Sequence, residues 1–311
     1  FAAMLPSYFP TALRERYAAA MTAHPLRRDI VTTMVANHLV NLGGITFAFR
    51  AMEETGASAA AVVRAAAAAI AVFDLDAINA RINAQDGLIP VAAQTALHLE
   101  ARRLLDRATR WFLQARGGTL DVQAEVAEFA SVVEAHAAEV PGMLLGLERE
   151  RFDRLRMRFV AAGVPQELAD EVAGALDVFS LLDITDICVE TGETLHEILP
   201  LYFTVSERFD VDRTLVRITE LERGAMWSAL ARQALRSDLY AASAGITAQV
   251  ARSTPASLPP VQRLAQWEAA HREGVVRARA TLDSIADVDQ ADLATLSVAL
   301  RALRSLAGQR A

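Results

Sequence analysis

The sequence predicts an all-α protein, a multi-helix bundle with two weakly duplicated halves, and three observations predict it. Alanine, the strongest helix former, makes up about a fifth of the 311 residues. Apolar residues recur at i, i+3, i+4 and i+7 along most of the chain. No stretch keeps the period-two alternation of a strand, and no Asn-Gly or Asp-Gly turn sits between alternating runs. With 53% hydrophobic residues the chain is too apolar to be disordered.

The elements follow in order. Residues 57–73 are mostly alanine, interrupted by Ser58 and Arg64. Alanine adds little to bilayer insertion and the run is short of a full span, so a buried helix is the reading. Over residues 94–113, Leu97, Ala101, Leu104, Ala108 and Trp111 share one helical face, with Arg103, Arg107 and Arg110 opposite. Asp121 is placed to cap a helix over residues 122–140, which Pro141-Gly142 ends. Phe152, Leu155 and Phe159 form an apolar stripe on a helix that also carries Arg149, Arg151, Arg154, Arg156 and Arg158. Gly163 and Pro165 read as a C-terminal glycine followed by an N1 proline. Thr194 and Glu197 have the spacing of a capping box. Trp227, Leu230, Ala231 and Ala234 mark the apolar face of a further helix, and residues 252–260 form the clearest loop.

A weak internal repeat runs at an offset of 136. Glu54-Thr55-Gly56 recurs as Glu190-Thr191-Gly192, Ser58 as Thr194, Phe73-Asp74-Leu75-Asp76 as Phe209-Asp210-Val211-Asp212, and Arg81-Ile82 as Arg217-Ile218. In each copy a helix should end at Thr-Gly, a Ser or Thr should cap the next, and an Asp should cap a third. An insertion near residues 83–94 belongs to the first copy. The expected organisation is one helical domain over residues 1–311. Its pseudo-repeat halves span about 1–118 and 161–252, with a helical linker at 119–160 and C-terminal helices at 259–311.

Composition removes several chemistries. All 31 basic residues are arginine. Without lysine there is no Schiff base, no pyridoxal phosphate anchor and no P-loop lysine. The net charge of −7 argues against a general nucleic-acid binder. A single cysteine, Cys188, excludes an internal disulfide, and its apolar setting suits a small buried hydrophobe. The six histidines, His24, His38, His98, His136, His196 and His271, include no pair at i+3 or i+4 that could grip a metal from one helix. The acidic pairs Glu53-Glu54 and Asp74/Asp76 sit where helix ends explain them. Gly43-Gly44 reads as close packing or a kink, and Gly117-Gly118 as a connector, since neither has phosphate-loop spacing. No catalytic residue, cofactor site or metal site is read from these patterns. The concentrated positive feature is the arginine-rich helix, and Arg149, Arg151, Arg154 and Arg158 are the candidate docking face for an acidic protein surface. The competing reading is a solvated face laced with i, i+3 and i+4 pairs. The N-terminal residues show no secretory pattern and no initiator methionine, so the expected setting is cytoplasmic, within a longer reading frame.

Several stretches together resemble the C-terminal region of the large bacterial NAD-specific glutamate dehydrogenases. They are LPSYFPTALRERY (5–17), HLVNLGGITFAFRAMEETGAS (38–58), QTALHLEARRLLDRATRW (94–111), WSALARQALRSDLY (227–240) and LATLSVALRALRSLA (293–307). The most specific is the core at residues 41–57, where Gly43 stands in place of an expected methionine. The resemblance implies a parent chain several times longer that oxidatively deaminates L-glutamate to 2-oxoglutarate and ammonia with NAD. It places the catalytic lysines and the NAD site in a separate catalytic domain. This chain would then be a non-catalytic part with no cofactor of its own. Its partners would be its own catalytic domain and neighbouring subunits of a homo-oligomer, with no nucleic acid and no membrane. The alternative is an independent helical adaptor, with residues 57–73 as an exposed groove face. A small-molecule enzyme with its site between helices is the third reading.

Overall fold

The computed structural model describes residues 4–117, 120–222, 226–286 and 291–308. Every regular element among them is a helix. The first eight are α1 (Leu5–Tyr8), α2 (Thr11–Arg14), α3 (Ala18–Thr22), α4 (Arg27–Gly43), α5 (Phe47–Thr55), α6 (Ala59–Val72), α7 (Leu75–Asn83) and α8 (Val91–Ala115). Then come α9 (Val122–His136), α10 (Val140–Met143), α11 (Gly146–Ala161), α12 (Gln166–Val178), α13 (Leu181–Thr191), α14 (Leu195–Arg208) and α15 (Val211–Glu220). The last four are α16 (Met226–Ser253), α17 (Pro260–Ala270), α18 (Arg272–Ala286) and α19 (Leu293–Leu306). No single helix among the described residues is long and apolar enough to cross a membrane. The chain forms two compact units, Phe1–Ile70 with Leu105–Gln123, and Ala71–Leu104 with Ala124–Ala311.

In the first unit, α4 and α5 meet at an 86° bend. Gly44, at φ 83°, makes the turn. Gly43 leaves room for Phe47: a Cβ there would lie 2.5 Å from Phe47 Cγ, and Phe47 is buried. The expected kink is therefore present. In α6, Ala61, Val62, Ala65, Ala66, Ala68 and Ala69 are buried. That buries the helix as expected and removes it as the groove face of an adaptor. Arg110 departs from its expected place on the polar side of α8. It is 3% exposed and held by Glu54 at 2.5 Å and Asp106 at 2.7 Å. Periodicity gave its angle on the helix but not the carboxylate waiting there.

The second unit is organised around α16, which packs against α13, α14, α15, α17 and α19. The inward face of α16 is Leu235, Leu239, Ala242, Ile246 and Val250. The face expected from Trp227, Leu230, Ala231 and Ala234 is not the buried one. Trp227 is 74% exposed, and Ala234 is exposed. That stripe meets Asp238 after one further turn, whereas the buried one stays apolar to Val250. Other boundaries shift less. Asp121 accepts from the Gln123 amide at 2.9 Å, as a cap should. The helix it starts ends at His136, and Pro141 lies in the first turn of the short α10. Pro165 stands one position before α12, not inside it. The loop between α16 and α17 is residues 254–259. Gly117 has φ 63°, while Gly118 and Thr119 of the expected connector lie outside the described residues.

The offset of 136 reappears in the local structure. The helices α6 and α7 start at Ala59 and Leu75, and α14 and α15 at Leu195 and Val211. Gly56 and Gly192 are both left-handed C-caps, each bonded to the carbonyl four residues back at 2.8 Å. Ser58 Oγ accepts from the Ala61 amide. At the other copy the Thr194 amide donates to Glu197 at 2.7 Å, completing the capping box. Asp74 and Asp210 occupy the expected N-cap positions but make no side-chain cap bond. Instead both adopt positive φ, 45° and 50°, the non-glycine residues that do so among those described. The correspondence covers the two triplets α5–α7 and α13–α15.

Candidate functional site

The arginine-rich helix α11 presents two flanks beside its buried stripe of Glu148, Phe152 and Phe159. On one flank, Arg149 bonds Asp153 at 2.8 Å and the Pro141 carbonyl at 2.8 Å, and Arg156 pairs with Asp170. On the other, Arg154 and Arg158 point outward and form no ion pair among the described residues. Arg158 lies 5.6 Å from the Phe159 ring centroid. Arg151 leans inward from this second flank. It donates a hydrogen bond to Asp177 of α12 at 2.6 Å and forms an ion pair with Asp212 of α15 at 3.2 Å. The four candidate docking residues are therefore not equivalent: Arg154 and Arg158 are exposed without an ion pair among the described residues, Arg149 is tied locally, and Arg151 ties three helices together.

Beneath Arg151 lies a buried acidic cluster that the sequence reading passed over. Glu148, Asp177 and Asp212 are each less than a tenth exposed. Ser206 of α14 donates to Glu148 Oε1 at 2.6 Å, while Oε2 is buried with no hydrogen-bond partner. Burial pushes the Glu148 carboxyl up to about 8, and the Asp177 and Asp212 charges add to it; Ser206 and Arg151 pull the other way. Burial also opposes charge on Arg151, but the two aspartates outweigh it and hold its pKa above the ordinary value. Nearby, Tyr202 Oη donates to Asp183 at 3.4 Å, and burial followed by the Asp183 charge raises the phenol well above its usual range. Three carboxyls facing one guanidinium favour a protonated Glu148. The signal was present: Glu148 stands four residues before Phe152, on the apolar stripe.

A cleft of about 960 Å³ opens in the same unit. Phe73, Ile78, Val133, Phe152 and Val178 form its floor, with Arg81, Arg149 and Arg156 among its rim residues. Each of these arginines is already paired with a carboxylate, Arg81 with Glu171. Burial raises the Glu171 pKa, against the pull of Arg81.

Elsewhere the chemistry is structural. Arg263, 1% exposed, grips Glu193 with two bonds of 2.7 and 2.8 Å and donates to the Ala251 and Thr254 carbonyls at the end of α16. Cys188 is half-buried, and burial, with Glu193 and Glu197 nearby, pushes its thiol up to about 11. A thiol held so far toward its neutral form is a poor nucleophile. His136 and His196, distant in sequence, come within 5.6 Å and share Glu139. Burial lowers the pKa of His98, whose ring bonds Asn79 at 3.0 Å. Among the described residues no three His, Cys, Asp or Glu side chains are placed to hold a metal ion.

These features define a class: an all-helical region whose charged clusters tie helices to one another. The chain belongs to the family described as "Glutamate dehydrogenase, C-terminal", which it matches over residues 1–305. It is 40% identical over 306 residues to an NAD-specific glutamate dehydrogenase of Mycobacterium tuberculosis, covering 98% of this chain and 19% of that protein. A protein of the same description from Pseudomonas aeruginosa is 37% identical, covering 96% of this chain and 18% of the relative. One from Halomonas elongata is 32% identical with the same coverage. The chain thus spans about a fifth of the length of the curated relatives it matches.

Proposed function

We propose that this chain is a non-catalytic helical portion of an NAD-specific glutamate dehydrogenase, serving structure and regulation. The whole polypeptide would oxidise L-glutamate to 2-oxoglutarate and ammonia, passing a hydride to NAD, in the cytoplasm. The observation that carries this reading is the family match over residues 1–305 alongside relatives about five times as long. The lysine-free composition supports it, since the lysines the resemblance assigns to the reaction must then lie elsewhere. Within that role, Arg154 and Arg158 suit a polar contact with a neighbouring subunit of a homo-oligomer. The test compares the full-length protein with one lacking this region. Glutamate-dependent NAD reduction in the full-length protein, with altered assembly or kinetics on deletion, supports the proposal. A native polypeptide near 33.6 kDa, or no glutamate-dependent NAD reduction by the full-length protein, overturns it in favour of an adaptor.

A further inference from the structure

The first unit carries a surface that its own residues do not explain. Residues 30–49, the end-to-end run through the α4–α5 bend, contain no Asp, Glu or Arg. Charged residues make up 22% of the whole chain, so a free helix surface of this length should carry several. Yet nine of these twenty residues are exposed and only Val35, Leu39, Gly43 and Phe47 are buried. The exposed ones include Val40 at 42%, Phe49 at 56% and Ile45 at 86%. Depletion of charge around exposed large apolar side chains marks the centre of a protein interface. The preceding segment leans the same way. Residues 4–26 bury Leu5 and Met21 but expose Tyr8, Leu13, Tyr17 and Leu26. Segments that leave more large apolar side chains outside than inside are completed by another surface.

We propose that the α4–α5 elbow, centred on Val40, Ile45 and Phe49, docks an apolar, uncharged surface on the remaining part of the same polypeptide. This rests on the reading that the chain is one portion of a longer protein. Two observations select that occupant. The relatives carry about four-fifths of their length outside the matched region, so a covalently attached partner is at hand. And nine exposed residues fall short of the roughly 20–30 a side that a free-standing complex uses. Attachment raises the effective concentration to the millimolar range, which lets a small patch suffice. By length and composition the bent pair could serve as a broken membrane span, but a bilayer fits less well, because Val35, Leu39, Gly43 and Phe47 are turned into the protein's own core.

The test uses the full-length protein with the photo-crosslinking residue p-benzoylphenylalanine in place of Ile45, whose exposure lets it be replaced without disturbing the core. Cross-links to peptides outside this region, on a band of single-chain mass, are expected. Their yield should fall at least fivefold in the Val40→Asp/Phe49→Asp background. Cross-links joining two copies, a yield no higher than in urea, or capture of anionic lipid vesicles by the elbow would each overturn the docking. Glutamate-dependent NAD reduction is measured on the same preparation. Activity without intrachain cross-links sinks the docking and spares the functional reading. Intrachain cross-links without activity do the reverse.

Discussion

At the residue scale the sharpest consequence belongs to Glu148. Its folded-state pKa, about 8, lies above the ordinary carboxylate value of 4.5. Between those values the folded chain holds a proton that the unfolded chain has released. The stabilisation is therefore complete below about pH 4.5 and is lost as pH rises through about 8, at up to about 1.4 kcal/mol per pH unit. Glu148→Gln removes this titration while keeping an oxygen for Ser206. Its stability relative to the natural chain should rise steadily between pH 5 and 8, as read from urea midpoints; a constant difference would show that Glu148 is ionised in the fold. The two left-handed aspartates offer a second contrast. Asp210 also binds Arg279 at 2.7 Å, whereas Asp74 forms no ion pair among the described residues. Glycine relieves positive φ but adds freedom to the unfolded chain. Asp74→Gly should stay within about 0.5 kcal/mol of neutral, while Asp210→Gly should cost about 1–2 kcal/mol for the lost charge-assisted bond. Equal effects on thermal unfolding would mean the Arg279 pair contributes nothing.

At the scale of elements, most of the fold was legible. The helices follow from period 3.6, the bend from Gly43-Gly44, and the caps from Thr-Gly, Ser58, Asp121 and Thr194-Glu197. What failed was the facing of helices that carry two plausible stripes, as α16 does, and the fate of arginines next to a buried face. Arg110, Arg151 and Arg263 are all within one turn of core residues, and each meets a carboxylate or carbonyl supplied from far along the chain. Spacing cannot reveal a partner 70 residues away, as Glu193 is from Arg263. Arg263 shows what such a residue contributes. Its fork fixes α17 to the segment between α13 and α14 and satisfies carbonyls that α16 leaves open. Arg263→Ala strands Glu193 and should cost about 3–5 kcal/mol. Arg263→Lys keeps the charge without the planar fork, and at least half of that loss should remain. Full recovery by lysine in denaturant titrations would reduce the interaction to a point charge.

For the whole molecule, the arginine-rich helix separates two roles that its sequence blends. Arg151 holds α11, α12 and α15 together through Asp177 and Asp212, so Arg151→Met leaves three buried carboxyls facing one another. That change should cost about 3–5 kcal/mol wherever it is measured, in the full-length protein or in this region. Arg154 and Arg158 lie on the surface, and reversing both to Glu should change stability by less than about 1 kcal/mol, the residue being the helix-end charge at Arg158. If the outward flank serves subunit contact, the same reversal in the full-length protein should weaken assembly at least tenfold by sedimentation, with the region still folded. The effect should shrink as salt rises, because exposed charges are screened within about 10 Å at 0.1 M. Unchanged assembly with unchanged turnover would reduce Arg154 and Arg158 to a solvated face.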